Sequence, residues 1–449
     1  MSAPVIASLR PTGSSVVVGC PGVPSTVPRI ETVVEIRSAS GKPFVVRSVS
    51  VELNTIQKVT VSSTIGSTDS VRQYQIYNDP FAYRPPVGEF YEKLFALDIP
   101  ILVPLPKDIT SSGYFPRWNS QTTHELYVKV NCGISVESEI TYGQAFPVVI
   151  KVYDTLPLYR QYNEPVTETR NNSNNQVLIE TTIPHSSVGP TDEFTLTAKI
   201  MTNHLNNKLR RNIKLNLVTL QIKEIIECHD GGLPPKREYK LFTTTKEFVE
   251  NNVINTNGIS HTFKFKYPGV NDYLCLYGGS KTAIPAGNVD PDEPLTIQSI
   301  NLARDNYIDK LDDGIPLTHT QGFTSIGSFF TVRYEINLKF KFSHAKDLDF
   351  RLPLTVCPYD RRSSQYLLNW IMLQCDDAKS RFGSRFIHHL CGPISYEHTV
   401  PLINRFRPPP TIYRYTRADW VRLGYDIDSW GTSGKNLVQY IDWVPLPRL

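Results

Sequence analysis

From Pro28 to about Asp360, apolar and polar residues alternate along most of the chain. The clearest run is FFTVRYEINLKFKF, residues 329–342. Phe330, Val332, Tyr334, Ile336, Leu338, Phe340 and Phe342 fall on one face; Thr331, Arg333, Glu335, Asn337, Lys339 and Lys341 fall on the other. A period of two is the signature of a half-buried strand. At about 3.3 Å per residue the run would reach roughly 46 Å. One wet face predicts antiparallel sheets packed in pairs, not a parallel sheet covered on both sides.

The same period recurs in both halves. Val49, Val51 and Leu53 share a face, after which Ile56, Val59 and Val61 fall out of step and predict β-bulges. In HELYVKVNC, Leu126, Val128, Val130 and Cys132 alternate with Tyr127, Lys129 and Asn131. Prolines break the extended run 97–106, which should end at a sheet edge or crossover. The second half restarts at residue 177 and closes with DFRLPLTVC, residues 349–357.

Between and around these strands the pattern lapses. Residues 1–27, rich in Pro, Ser and Gly, read as a loose tail, and 159–176 as a polar linker or hinge. Domains are therefore expected at 28–158 and 177–360. Helical spacing emerges only at 361–391, where Tyr366, Leu367, Trp370, Ile371, Leu373 and Ala378 form one stripe. Residues 392–449 mix prolines with aromatics and suit a tail that docks back on the body.

Composition supports this picture. The chain of 449 residues exceeds one core, and 34 Pro with 25 Gly argue against long helices. The net charge of +4, with Lys and Arg interleaved among Asp and Glu, points away from nucleic acid. Weak attraction to an anionic membrane is compatible with it. The N-terminus lacks the basic start and apolar run of a signal peptide, and no apolar run approaches the ~18 residues of a membrane span. Seven Cys without regular spacing read as reduced thiols in a cytoplasmic protein.

Catalytic and metal chemistry find little footing. Cys228-His229 and His388-His389-x-Cys391 lack paired metal-ligand spacing. GTSGK, residues 431–435, lacks the first glycine of a phosphate loop, and no GxSxG occurs. No catalytic residue, metal or cofactor is expected.

Three segments suggest partner binding. Leu156, Pro157 and Tyr159 fit a relaxed LPxY ligand of WW domains, with a domain-closing bend as the alternative. Pro408, Pro409 and Pro410, followed by Tyr413, form a second candidate, although the Tyr comes one residue late for PPxY. A proline pair preset as polyproline II needs little ordering to dock on an aromatic groove. Lys208, Arg210, Arg211 and Lys214 lie between two strands and suit an anionic membrane or acidic cargo, against the plainer reading of a solvated loop.

Pro100 to Pro106, followed by SSGYF and HELYVKV, resembles the amino-terminal domain of arrestins. IPHSSVGPTDEFTLTAKIMTN, residues 183–203, is similar to the opening of the arrestin carboxy-terminal domain, and RYEINLKFKF with LPLTV resembles its last strands. The likeness spans about Pro28 to Asp360 and is greatest to the fungal α-arrestins, although Gly189-Pro190 reverses the usual order. It implies an all-β fold of two tandem antiparallel immunoglobulin-like sandwiches, with a helix and tail following. It also implies a non-catalytic cytoplasmic adaptor, peripheral at the plasma membrane or endosomes. Such an adaptor binds membrane-protein cargo and recruits the WW domains of a HECT-type ubiquitin ligase for endocytosis. No PPxY is present, so the ligase would be met through a variant motif or a second adaptor. The alternatives are a signalling or retromer-like sorting scaffold without a ligase, and an enzyme or carbohydrate-binding sandwich.

Overall fold

The computed structural model describes residues 4–9, 14–18, 29–63, 66–106, 108–154, 165–185, 187–203, 212–232, 234–250, 252–267, 322–361 and 409–422, with single positions between 369 and 404. The described chain is overwhelmingly β. The first half contains β1 (Val5–Leu9), β2 (Ser14–Val18), β3 (Arg29–Ser38), β4 (Phe44–Ser63), β5 (Gly66–Tyr83), β6 (Glu92–Leu94), β7 (Ala96–Pro104), β8 (Gly113–Phe115), β9 (Ser120–Gly133), β10 (Ile140–Val148) and β11 (Ile150–Asp154). The second contains β12 (Val166–Asn171), β13 (Val177–Ile183), β14 (Ser187–Val188), β15 (Glu193–Thr202), β16 (Lys214–Cys228), β17 (Lys236–Glu247), β18 (Ile259–Lys266), β19 (Ser325–Ile326), β20 (Phe330–Ser343) and β21 (Leu348–Val356). Beyond them lie β22 (Tyr413–Tyr415) and the short helix α1 (Arg417–Arg422).

Each half pairs a four-stranded with a six-stranded sheet. In the first, the order β1-β3-β7-β22 faces β10-β9-β4-β5, with β6 and β8 pairing on the larger sheet. In the second, β12-β13-β15-β18 faces β14-β21-β20-β16-β17, with β19 on β20. Ladders are antiparallel apart from β2–β11 and β14–β21. The predicted alternation is the observed one: Leu126, Val128, Val130 and Cys132 of β9 line the first core, and Phe330 to Phe342 of β20 line the second.

Three expectations differ from the structure. Residues 1–27 hold β1, on β3, and β2, on β11. Val5 and Ala7 are buried there, in a strand of five residues that is too short to display a period. The polar stretch 159–176 holds β12, an exposed edge strand that follows β13 through backbone pairing and needs no apolar face. The bulge expected after Leu53 is present as a register shift at Leu53/Asn54, and β4 has two more at Val46/Ser48 and Val49/Val51. At the described helical positions of 361–391, Leu373 is exposed together with Met372. Leu373 lies in the row with Asp377 and Ser380, which is a solvent face; Tyr366, Leu367, Trp370, Ile371 and Ala378 lie outside the described residues.

Candidate functional site

Two regions of the described residues frame the candidate site: the seam between the halves, and a C-terminal strap on the first half. The seam is built on β4. Its near end contributes Val49, Val51 and Leu53 to the first core, whereas Val59 belongs to the second, so one strand runs through both. Phe115, at the end of β8, also packs in the second core, with ring centroids 5.3 Å from Phe323 and 6.1 Å from Phe330.

Between the two apolar clusters lies a buried polar layer containing Thr55, Gln57, Thr122 and His124. Gln57 Nε2 donates to Thr122 Oγ1 at 3.2 Å, and its Oε1 accepts from the Phe329 amide at 2.8 Å. Gly327 permits that approach, since a Cβ there would stand 1.9 Å from Gln57 Nε2. Thr110 Oγ1 donates to the Ile326 carbonyl at 3.0 Å. At the rim, the Arg117 guanidinium donates to buried Glu224 at 3.0 Å, Tyr334 donates to the same carboxylate at 3.0 Å, and Arg117 lies over the Tyr239 ring. Burial first, and then neighbouring negative and phenolic groups, holds the Tyr334 hydroxyl well above its ordinary range.

His124 bridges Thr55 Oγ1 at 3.0 Å and the Thr110 carbonyl at 2.9 Å. Burial lowers its pKa from 6.5 to about 4. The unfolded chain therefore takes up a proton between these values while the folded one does not, so stability is lost as pH falls through that window. Moving from pH 7 to about pH 4.5 should cost the wild type roughly 2 to 3 kcal/mol from this group. The same component should be missing in His124→Gln, as read by denaturant midpoints at both pH values; equal pH dependence in the two proteins would refute it.

The strap covers the outer face and one edge of the smaller sheet of the first half. Inward residues of β3 and β7, such as Ile36 and Leu97, enter the core, which leaves Arg37 and Asp98 on the opposite face. There the Arg37 guanidinium meets Asp98 Oδ1 at 2.6 Å, with both side chains almost fully buried. Arg37 also donates to the Ile36 carbonyl at 3.1 Å. Burial of this pair is completed by the C-terminal segment. β22 runs antiparallel to the start of β7, with Tyr413 opposite Asp98 and Tyr415 opposite Ala96, and the Phe95 amide donates to the Tyr415 carbonyl at 2.8 Å. Thr416 and Asp419 exchange hydrogen bonds that start α1. This turn places Trp420, wholly buried, 5.9 Å from Phe95, 5.7 Å from Tyr415 and 5.4 Å from the Arg37 guanidinium carbon. Burial, followed by the Asp98 charge, raises the Tyr415 hydroxyl far above its usual range.

The residues singled out by sequence fare unevenly. Leu156, Pro157, Tyr159, Pro408, Lys208, Arg210 and Arg211 lie outside the described residues. Pro409 and Pro410 lead into β22, where Tyr413 is half-buried. Lys214 opens β16 and is exposed. Cys228 is half-buried, its thiol pushed up to about 11 by burial, and His229 Nε2 pairs with Thr331 Oγ1 at 3.2 Å. His388, His389, Cys391 and the 431–435 segment also lie outside the described residues. Among the described residues no group of three or more metal-type side chains converges, and no helix is long and apolar enough to cross a membrane. Sequence reasoning missed Arg37, Asp98 and Trp420. The only signal was an acidic residue inside the apolar run LDIPILV, which demands a buried partner.

No family model matches this chain. The chain is similar to a Saccharomyces cerevisiae protein described as RHO1 GEF localizing protein 1. The two are 24% identical over an alignment of 483 positions that covers 92% of this chain and 95% of the relative.

Proposed function

We propose that this protein is a non-enzymatic adaptor that holds a guanine-nucleotide exchange factor for a Rho-type GTPase at its place of action. The observation that carries this reading is the end-to-end similarity to the yeast localizing protein, which leaves little of either chain outside the alignment. The architecture suits the role. Two sheet pairs with separate cores, tied by a shared strand and a polar seam, offer broad exposed faces for holding other molecules. The finer fold we propose is the arrestin-like tandem sandwich that the motifs suggest.

A ubiquitin-ligase adaptor for membrane cargo is the second reading, motivated by Leu156-Pro157-Leu158-Tyr159. Use of Tyr413 by a WW domain would require β22 to leave β7, because its backbone is committed to that ladder. Deletion of the gene separates the two. The first reading expects the exchange factor to lose its normal location in the cell and the purified full chain to bind it directly. An exchange factor that stays in place and does not bind the chain would reject that reading. Transporter endocytosis lost on deletion, with WW-domain binding abolished by Tyr159→Ala, would favour the second.

A further inference from the structure

Near the end of the first half remote from the seam, two loops leave the larger sheet from either side of β4. Val45 pairs with Lys93 of β6 on one side and with Gly133 of β9 on the other. Tyr83 pairs with Val49 and Glu92 with Val46, so loop 84–91 is an excursion from the β5–β6 edge. Its base stands about 10 Å, two strand spacings, from that of loop 134–139. They are tied together through Glu139, which accepts from the Tyr91 hydroxyl at 3.4 Å and from the Arg47 guanidinium at 3.3 Å.

These loops carry large apolar side chains that nothing in the described fold covers. Val87 is 107% exposed, Phe90 81%, Ile134 73% and Val136 51%. Isolated exposed apolar residues are ordinary, but four on two adjoining loops are not. Both loops are also fixed in shape. Pro85 and Pro86 restrict the first, and the Glu89 amide donates to the Pro86 carbonyl at 3.0 Å. In the second, Ser138 Oγ accepts from the Ser135 amide at 2.9 Å and donates to its carbonyl at 3.1 Å. Prongs held in place lose little freedom on binding, a property of interface anchors.

The surrounding charges identify the kind of occupant. Arg84 and Lys93 are exposed beside the prongs, but so are Glu89 and Glu137, and Arg47 is already paired. A face built for anionic lipid would be basic throughout, and carboxylates at its tip would be repelled. An apolar centre within a rim of both signs is the composition of a protein interface. Because the prongs are convex, the partner must supply the groove.

We propose that this loop pair is the surface that engages the exchange factor, with Val87, Phe90, Ile134 and Val136 entering an apolar groove on that protein. The inference rests on the adaptor reading above. The test measures binding of the purified exchange factor to the full chain and to two variants, Val87→Ser with Phe90→Ser, and Ile134→Ser with Val136→Ser. All four positions are exposed, so thermal midpoints should be retained. The expected weakening is on the order of thirtyfold or more for the first variant and less for the second. Wild-type affinity in both variants would overturn the inference while leaving the adaptor reading intact; no binding by the wild type would overturn both. Glu89→Lys with Glu137→Lys should weaken partner binding. If instead the wild type sediments with phosphatidylcholine–phosphatidylserine vesicles, the charge variant sediments more strongly and the serine variants fail to, the surface is a lipid contact and the inference is wrong.

Discussion

Trp420→Ala is expected to release the C-terminal strap from the first half while both cores remain folded. The indole is wholly buried among Phe95, Tyr415 and Arg37, and no other residue of α1 is buried. Truncating a tryptophan in such a site removes about 3–5 kcal/mol. β22 has only three residues and cannot hold β7 by itself, since a short strand gains little from its ladder. Hydrogen exchange is the direct measurement. The Phe95 amide and the amides of 413–415 should exchange faster by on the order of a hundredfold or more, while those of β9 and β20 keep their protection. Unchanged exchange at Phe95 would mean that the ladder, not the indole, anchors the strap.

Asp98→Ala should be almost as damaging, by a different route. It leaves the Arg37 guanidinium buried without the carboxylate that it meets at 2.6 Å. Breaking one side of a buried pair costs about 3–5 kcal/mol, whereas replacing both partners by apolar residues of similar volume is often neutral. Urea midpoints should therefore fall steeply for Asp98→Ala and recover most of the loss in Arg37→Met with Asp98→Leu. Arg37 also lies over the Trp420 ring, so Asp98→Ala and Trp420→Ala should be non-additive. Independent, additive losses would show that the ion pair is not sealed by the strap. Either way, the comparison separates the stability of the sheet from that of its cover.

What can be read along the chain and what cannot divide on physical lines. Strand alternation in 329–342 and 124–132 was legible because one face of each strand is buried, and a period of two records that directly. β1 and β12 were not, since one is five residues long and the other lies exposed at an edge; their backbones pair but their side chains carry no pattern. The aromatic and proline content of the tail predicts docking but not its place, which 413–420 find on β7 and Phe95. The prongs at Val87, Phe90, Ile134 and Val136 were missed altogether, because in sequence an exposed loop valine looks like any other.

The order of residues alone determined that this protein is built of antiparallel sheets in two halves, because side-chain burial on one face of a strand is a local property. Only the tertiary structure decided that β4 serves both cores, that Gln57 reaches the Phe329 amide, and that residues 413–420 seal Arg37 and Asp98. Those are meetings between residues tens to hundreds of positions apart. They depend on how sheets stack and where loops return, which no local period encodes.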